Sequence, residues 1–193
     1  MRSLPVAEPE SLVVLNWRGR PPQDANKQWV HVVHSISGMF WKGDKGSLMS
    51  GIFPYGAFEM MREENPVFST LFGYVNGRKH SLAVRGQATS VPTEYVTGEY
   101  FRGLGVTPAA GNLIGVEDDR PGAAPVAVIS FAASRQRFGG PANAVGQQVL
   151  VDSVPFTVIG VTPPEFFGVD PAAPPDLWLP LRTNVLVEGA EME

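Results

Sequence analysis

Glycine and proline interrupt this chain so often that no long regular element can form in it. There are 21 glycines and 18 prolines among 193 residues. Each proline removes a backbone donor, and each glycine adds freedom that folding must take away. Punctuation at that density favours short strands, short helices and many turns over a helical bundle. The rest of the composition supplies a core. It is 44% hydrophobic and 18% charged, a globular balance in a length that fits one medium domain or two small packed lobes. No internal repeat or low-complexity tract is visible.

Charge and residue types then remove whole classes of function. A net charge of −4, with 15 basic residues scattered along the chain, argues against nucleic acid as a partner, because displacing phosphate counterions needs clustered Lys and Arg. Cysteine is absent, so there is no disulfide framework, thiolate metal site or thiol nucleophile. Crossing a bilayer takes about 18 apolar residues, and the best run, Pro125 to Ala133, is about half that. Met1-Arg2-Ser3-Leu4 runs at once into Pro5 and Glu8, so no signal-peptide core is read there. The chain is expected to be soluble as it stands, with further sequence needed to carry it out of the cytoplasm if it works there.

Along the chain, Ser11 to Asn16 is β-branched and aliphatic and predicts a buried strand, followed by a polar loop from Arg18 to Asn26. Trp29 to Ile36 is β-prone, and Gly38 to Gly51 predicts a mobile excursion. Pro54 to Asn65 is the clearest helix: Pro54 suits a first helical position, Tyr55, Phe58 and Met61 share a face, and Asn65-Pro66 stops it. Phe68 to Val75 reads as a returning strand, so this opening is read as a βαβ-like unit. Asn76-Gly77 predicts a turn, and Ser81 to Thr89 alternates like a half-exposed strand. Pro125 to Ser130 predicts a buried strand, Phe131 to Phe138 a short helix closed by Gly139-Gly140, and Gln148 to Gly160 a hairpin turning at Asp152-Ser153. Asp176 to Pro180 predicts a short strand after a Pro-rich connector. The fold class is therefore α+β, strand-rich with short helices: a lobe with a βαβ-like unit over 1–76 and a second lobe over 77–182. Residues 183–193 read as a fraying tail.

Motifs that carry chemistry are mostly absent. Gly38 to Lys45 has the glycine spacing of a phosphate loop, but Asp44 stands where the phosphate-binding Lys belongs. Gly103-Leu-Gly105-Val-Thr-Pro108 lacks the last glycine of a dinucleotide fingerprint. His31 and His34, three apart on a β-prone stretch, point to opposite faces rather than to one metal. His80 reads as an isolated surface residue beside Arg78-Lys79, and Glu117-Asp118-Asp119 as solvated carboxylates rather than a cation site. Phe101, Phe138, Phe156, Phe166, Phe167 and Trp178 read as core. No serine sits in a nucleophile elbow. The expectation is no catalytic, cofactor-binding or metal residues, and no cofactor.

From Tyr95 to Leu181 the chain resembles the periplasmic core domain of MacB-type ABC-transporter permeases, closest to an acidobacterial-type orphan-permease branch. Five ordered blocks carry the resemblance: Val96 to Gly111, Glu117 to Ser130, Arg137 to Gly140, Val145 to Gln147, and Pro155 to Gly168. Arg2 to Glu10 is similar to the segment after the family's first transmembrane helix, and Phe53-Pro-Tyr55 and Asn65 to Ser69 to the ends of its first helix. The His31 to Gly51 region is the least family-like. The resemblance implies a lobe of two βαβ-type units, of which 1–76 is the first unit only, with a mainly β lobe, 77–182, inserted between them. It also implies that the second unit lies beyond Glu193, or that another chain supplies that layer.

The same resemblance implies a non-catalytic extracytoplasmic part of an inner-membrane protein, passing motion from membrane helices to periplasmic lobes during efflux. The implied partners are its own transmembrane helices, a separate cytoplasmic ATPase subunit, a periplasmic adaptor and a second copy as a homodimer. Two other readings stand beside it. A free-standing extracytoplasmic peptide- or glycan-binding module would be favoured if the gene lacked flanking hydrophobic helices. A hydrolase would be favoured by a pocket bearing two close acids with perturbed pKa values.

Overall fold

The computed structural model describes residues 6–19, 40–42 and 47–188. The chain divides into two compact units, Ser11–Pro66 and a larger one made of Met1–Glu10 with Val67–Glu193.

In the smaller unit, β1 (Trp17–Gly19), β2 (Phe40–Lys42) and β3 (Leu48–Ser50) form an antiparallel sheet in the order β1-β3-β2. The strand expected over Ser11–Asn16 does not form. Val13 and Val14 are 67% and 78% exposed, because aliphatic propensity makes no ladder without a neighbour. β3 pairs instead with the next three residues, where the Trp17 indole donates to the Ile52 carbonyl at 2.7 Å and Arg18 Nε to Ser47 Oγ at 2.9 Å. The expected loop from Arg18 thus begins inside a strand, and the expected excursion over Gly38–Gly51 contains two. Helix α1 (Tyr55–Glu63) lies where its spacing placed it, with Pro54 one position earlier, as the extended residue before the first turn. The stretch Trp29–Ile36, with His31 and His34, lies outside the described residues.

The larger unit holds β4 (Tyr74–Val84), β5 (Gln87–Val96), β6 (Ala110–Gly111), β7 (Val126–Ile129), β8 (Gln148–Val151), β9 (Val154–Val161) and β10 (Leu177–Pro180). Their order is β6-β9-β7-β10-β5-β4-β8, and β8 also pairs with β9. That extra pairing joins the sheet to itself, giving a six-strand closed circuit with β6 appended to β9. Closure removes the open edges that would otherwise invite pairing with other chains. Alternate residues point inward: Leu82, Val91, Tyr95, Ile129, Val149, Phe156, Val158, Leu177 and Leu179 belong to one core, joined by Ala133 and Phe138 from α3 (Phe131–Phe138) and Ala144 from α4 (Pro141–Ala144). The α+β class with a mainly β lobe and short helices is what the structure shows.

Local chemistry explains these boundaries. Ser130 caps α3 by accepting from Ala133 N at 3.0 Å, and Gly139 ends it at φ 77°. Asp152 and Ser153 both have positive φ, as a tight hairpin requires. Asn76-Gly77, in contrast, makes no turn. It lies within β4, where the register slips between Val75 and Arg78, so the extra length is absorbed as a bulge. The chain reverses at Arg85-Gly86 instead, both at positive φ, and this splits the single strand expected over Ser81–Thr89 between β4 and β5. Phe68 to Gly73 forms no strand; this stretch packs on the helix α2 (Tyr100–Gly103), where a Cβ on Gly103 would lie 2.5 Å from the Phe72 ring. The tail does not fray as far as Glu188. Leu181–Thr183 is a 3-10 turn, α5 spans Asn184–Glu188, and Val187 packs on the core.

Candidate functional site

Parallel pairing of β5 with β10 sets Glu94 beside Trp178 and Tyr95 beside Leu179. Because side chains alternate, Tyr95 and Leu179 enter the core while Glu94 and Trp178 face the other way. There α2 covers them with Tyr100 and Phe101, and the connector before β10 adds Phe166. The result is a carboxylate walled by aromatic rings. Glu94 is 1% exposed. Its Oε2 accepts from Trp178 Nε1 at 2.8 Å and from the Tyr100 hydroxyl at 3.1 Å. Burial pushes its pKa up to about 7 and Asp170 adds to this, against the pull of the two hydrogen bonds. Burial and the Glu94 charge also raise the Tyr100 and Tyr74 phenols.

A second polar cluster enters the core from β4. His80 is 5% exposed, not the isolated surface residue that its basic neighbours suggest. Its Nδ1 meets Asp152 Oδ2 at 2.6 Å and its Nε2 meets the Tyr95 hydroxyl at 3.2 Å. Asp152 Oδ1 accepts from Ser81 N at 2.7 Å, so one carboxylate in the β8–β9 turn ties that hairpin to β4. Burial raises the Asp152 carboxyl, but the hydrogen bonds from His80 and Ser81 and the charge of His80 outweigh it and hold the pKa below the usual range. Although Asp, His and Tyr fall in relay order, Tyr95 is fully buried, and the relay ends inside the packed core.

The three consecutive acids serve three separate tasks. Glu117 pairs with Arg120 at 2.6 Å on the surface, and Asp118 accepts from Gly115 N at 2.8 Å. Asp119, expected to be solvated, is buried; it accepts from Arg182 N at 2.9 Å and Gly98 N at 3.3 Å, fixing the entry to α5 against the end of β5. Among the described residues no three His, Asp or Glu side chains gather where a metal could sit. Of the aromatic residues expected in the core, Phe101, Phe138, Phe156, Phe166 and Trp178 are buried and Phe167 is half-buried. Gly103 ends α2 and Gly105 packs on Ala7, so that glycine run serves backbone packing. Within the phosphate-loop-like stretch, the described residues Phe40–Lys42 are strand β2. Sequence reasoning missed Glu94 altogether. Its one local signal was an acid inside a strand otherwise destined for burial.

Among the described residues no helix is long and apolar enough to cross a membrane. The MacB-like periplasmic core domain matches this chain over residues 7–191. A pyoverdine export ATP-binding/permease protein from Pseudomonas syringae pv. tomato is 37% identical over 94 residues, 47% of this chain and 12% of that protein. Its counterpart in Pseudomonas syringae pv. syringae is 35% identical over 86 residues, covering 42% and 11%. The matched stretch is thus a small part of either relative's length. In fold, the periplasmic region of MacB from Actinobacillus actinomycetemcomitans is similar with a TM-score of 0.55 at 19% identity, over 70% of this chain and 58% of that one. The extracellular domain of the noncanonic ABC-type transporter YknZ from Gram-positive bacteria gives 0.55 at 13% identity, over 72% and 67%. With the match running from residue 7 to residue 191, this chain belongs to the MacB-like periplasmic core domain family.

Proposed function

We propose that this chain is the non-catalytic extracytoplasmic domain of an export permease, and that it couples movement of membrane helices to export or to partner binding in the periplasm. The observation that carries this reading is the closed strand circuit of β4, β5 and β7–β10, filled by side chains. A filled, closed sheet moves as one body, which is what a part transmitting displacement needs. The export role of the pyoverdine relatives supports the same reading, as does their pairing of ATP-binding with permease activity. Within it, residues 1–76 belong to the first unit of the membrane-proximal lobe and 77–182 to the inserted lobe. The partners are the protein's own transmembrane helices, a cytoplasmic ATPase, a periplasmic adaptor and a second copy. No catalytic, cofactor or metal residue enters the reading. Glu94 and Asp170 act on each other as like charges, but Glu94 is 1% exposed and engaged by two donors, which does not suit the catalytic pair of a hydrolase.

Hydrogen exchange of residues 67–188 in the full-length permease tests the coupling, measured with its ATPase held in the ATP-bound state and again without nucleotide. Coupling predicts that peptides of this domain change protection when ATP binds in the cytoplasm. Identical exchange in both states would overturn it.

A further inference from the structure

The connector from Thr162 to Asp176 lies over Glu94, and the two are arranged to oppose each other when the carboxyl ionises. Phe166 of the connector stacks on Phe101 and Trp178, with ring centroids 5.9 and 5.6 Å apart. Gly168, at φ +79°, approaches so closely that a Cβ there would lie 3.4 Å from Glu94 Oε2. Asp170 on the same connector acts on Glu94 as a like charge. The groups facing the carboxyl are Tyr100 from α2, Tyr74 from β4, Asp170 from the connector and the Trp178 indole from β10, and no cation contributes among the described residues. The two donors on Oε2 favour the ionised form, but they are neutral and burial outweighs them. They compensate poorly for a full charge taken out of water, which a protein relieves by protonation or by letting water in.

We propose that Glu94 is a proton-operated latch for the connector: with the carboxyl neutral, Phe166 and Gly168 stay seated over β5, β10 and α2, and its ionisation lifts them and admits water. The connector is the part able to respond. Pro164, Glu165 and Pro171 to Pro174 are exposed, so the apolar surface that opening uncovers centres on Phe166 and the rings of Phe101 and Trp178 beneath it, whereas the barrel strands would have to break a continuous core. The carboxyl, pushed up to about 7, changes charge in the neutral range. The latch does not depend on the transport reading, since it needs only this chain.

The test is hydrogen exchange of the whole chain at pH 5.5 and pH 8.5, corrected for the intrinsic effect of pH on exchange. Peptides within 162–176 are expected to lose protection about tenfold or more between the two, with a midpoint near neutrality, while β7 and β9 keep theirs. Glu94→Gln is expected to remove the pH dependence, and Asp170→Asn to move the midpoint to lower pH. A connector whose protection changes equally in wild type and Glu94→Gln overturns the latch. So does a loss spread evenly across the barrel. If Glu94→Gln fails to fold, Asp170→Asn decides alone: an unmoved midpoint overturns the proposal.

Discussion

Two buried side chains, Glu94 and His80, find their partners far away in sequence. Glu94 and Trp178 are 84 residues apart, and His80 and Asp152 are 72 apart. No spacing rule connects such positions, so the sequence marked Glu94 as nothing in particular and His80 as a surface residue. Their environments have opposite consequences for stability. For Glu94 the folded pKa of about 7 lies above the ordinary value of 4.5, so the unfolded chain ionises first as pH rises. The fold then binds the extra proton, and stability falls with rising pH across that window and levels off above it. The melting temperature of wild type relative to Glu94→Gln is therefore expected to fall between pH 4.5 and about 7, checked by calorimetry across that range. Asp152 works the other way. Its lowered pKa contributes stability that is present above the ordinary carboxylate range and is lost as pH falls through the folded value. Removing the imidazole with His80→Ala deletes its hydrogen bonds to Asp152 and to the Tyr95 hydroxyl, at an expected cost of about 1–3 kcal/mol in urea unfolding.

At the level of elements, what could be read depended on whether the signal was local. The strand β7, the helix α3, the hairpin β8–β9 and the strand β10 all appear within a residue or two of their expected bounds. Each is announced by an apolar run next to its own cap or turn: Ser130 and Gly139 for α3, Asp152-Ser153 for the hairpin. Elements failed where the partner, not the propensity, decides. Ser11–Asn16 is aliphatic like β7 but has no neighbouring strand among the described residues, and Asn76-Gly77 is a good turn pair placed where the ladder continues through a bulge. The turn itself carries a prediction. Ser153 holds φ 75°, a conformation that strains L-residues by roughly 1–2 kcal/mol; Ser153→Gly should raise stability by up to about 1 kcal/mol, read from the urea midpoint. Gly160→Ala should do the reverse. Its Cβ would fall 1.8 Å from the Asn112 carbonyl oxygen, so β6 must leave β9, and the amide of Asn112, bonded to the Ile159 carbonyl in wild type, should lose its exchange protection.

For the molecule as a whole, composition and block order pointed to the right class and family, but not to the closed circuit of strands. Closure depends on β5 finding β10 and β8 finding β4 across intervals of about 80 and 70 residues, and hydrophobic alternation says only which side of a strand faces in. The closed core should be intolerant of truncation at its centre. Phe156 is 1% exposed within it, and Phe156→Ala should cost about 3–5 kcal/mol in denaturant unfolding. Whether this domain works outside the cytoplasm as part of a membrane permease can be tested with one cysteine. The chain has none of its own, and Ala88 is exposed near the tip of the β4–β5 hairpin. Ala88→Cys in the full-length protein, with any other cysteine replaced, is treated in intact cells with a maleimide that cannot cross the inner membrane. Labelling before lysis is the predicted result; labelling only after the inner membrane is broken would contradict an extracytoplasmic role.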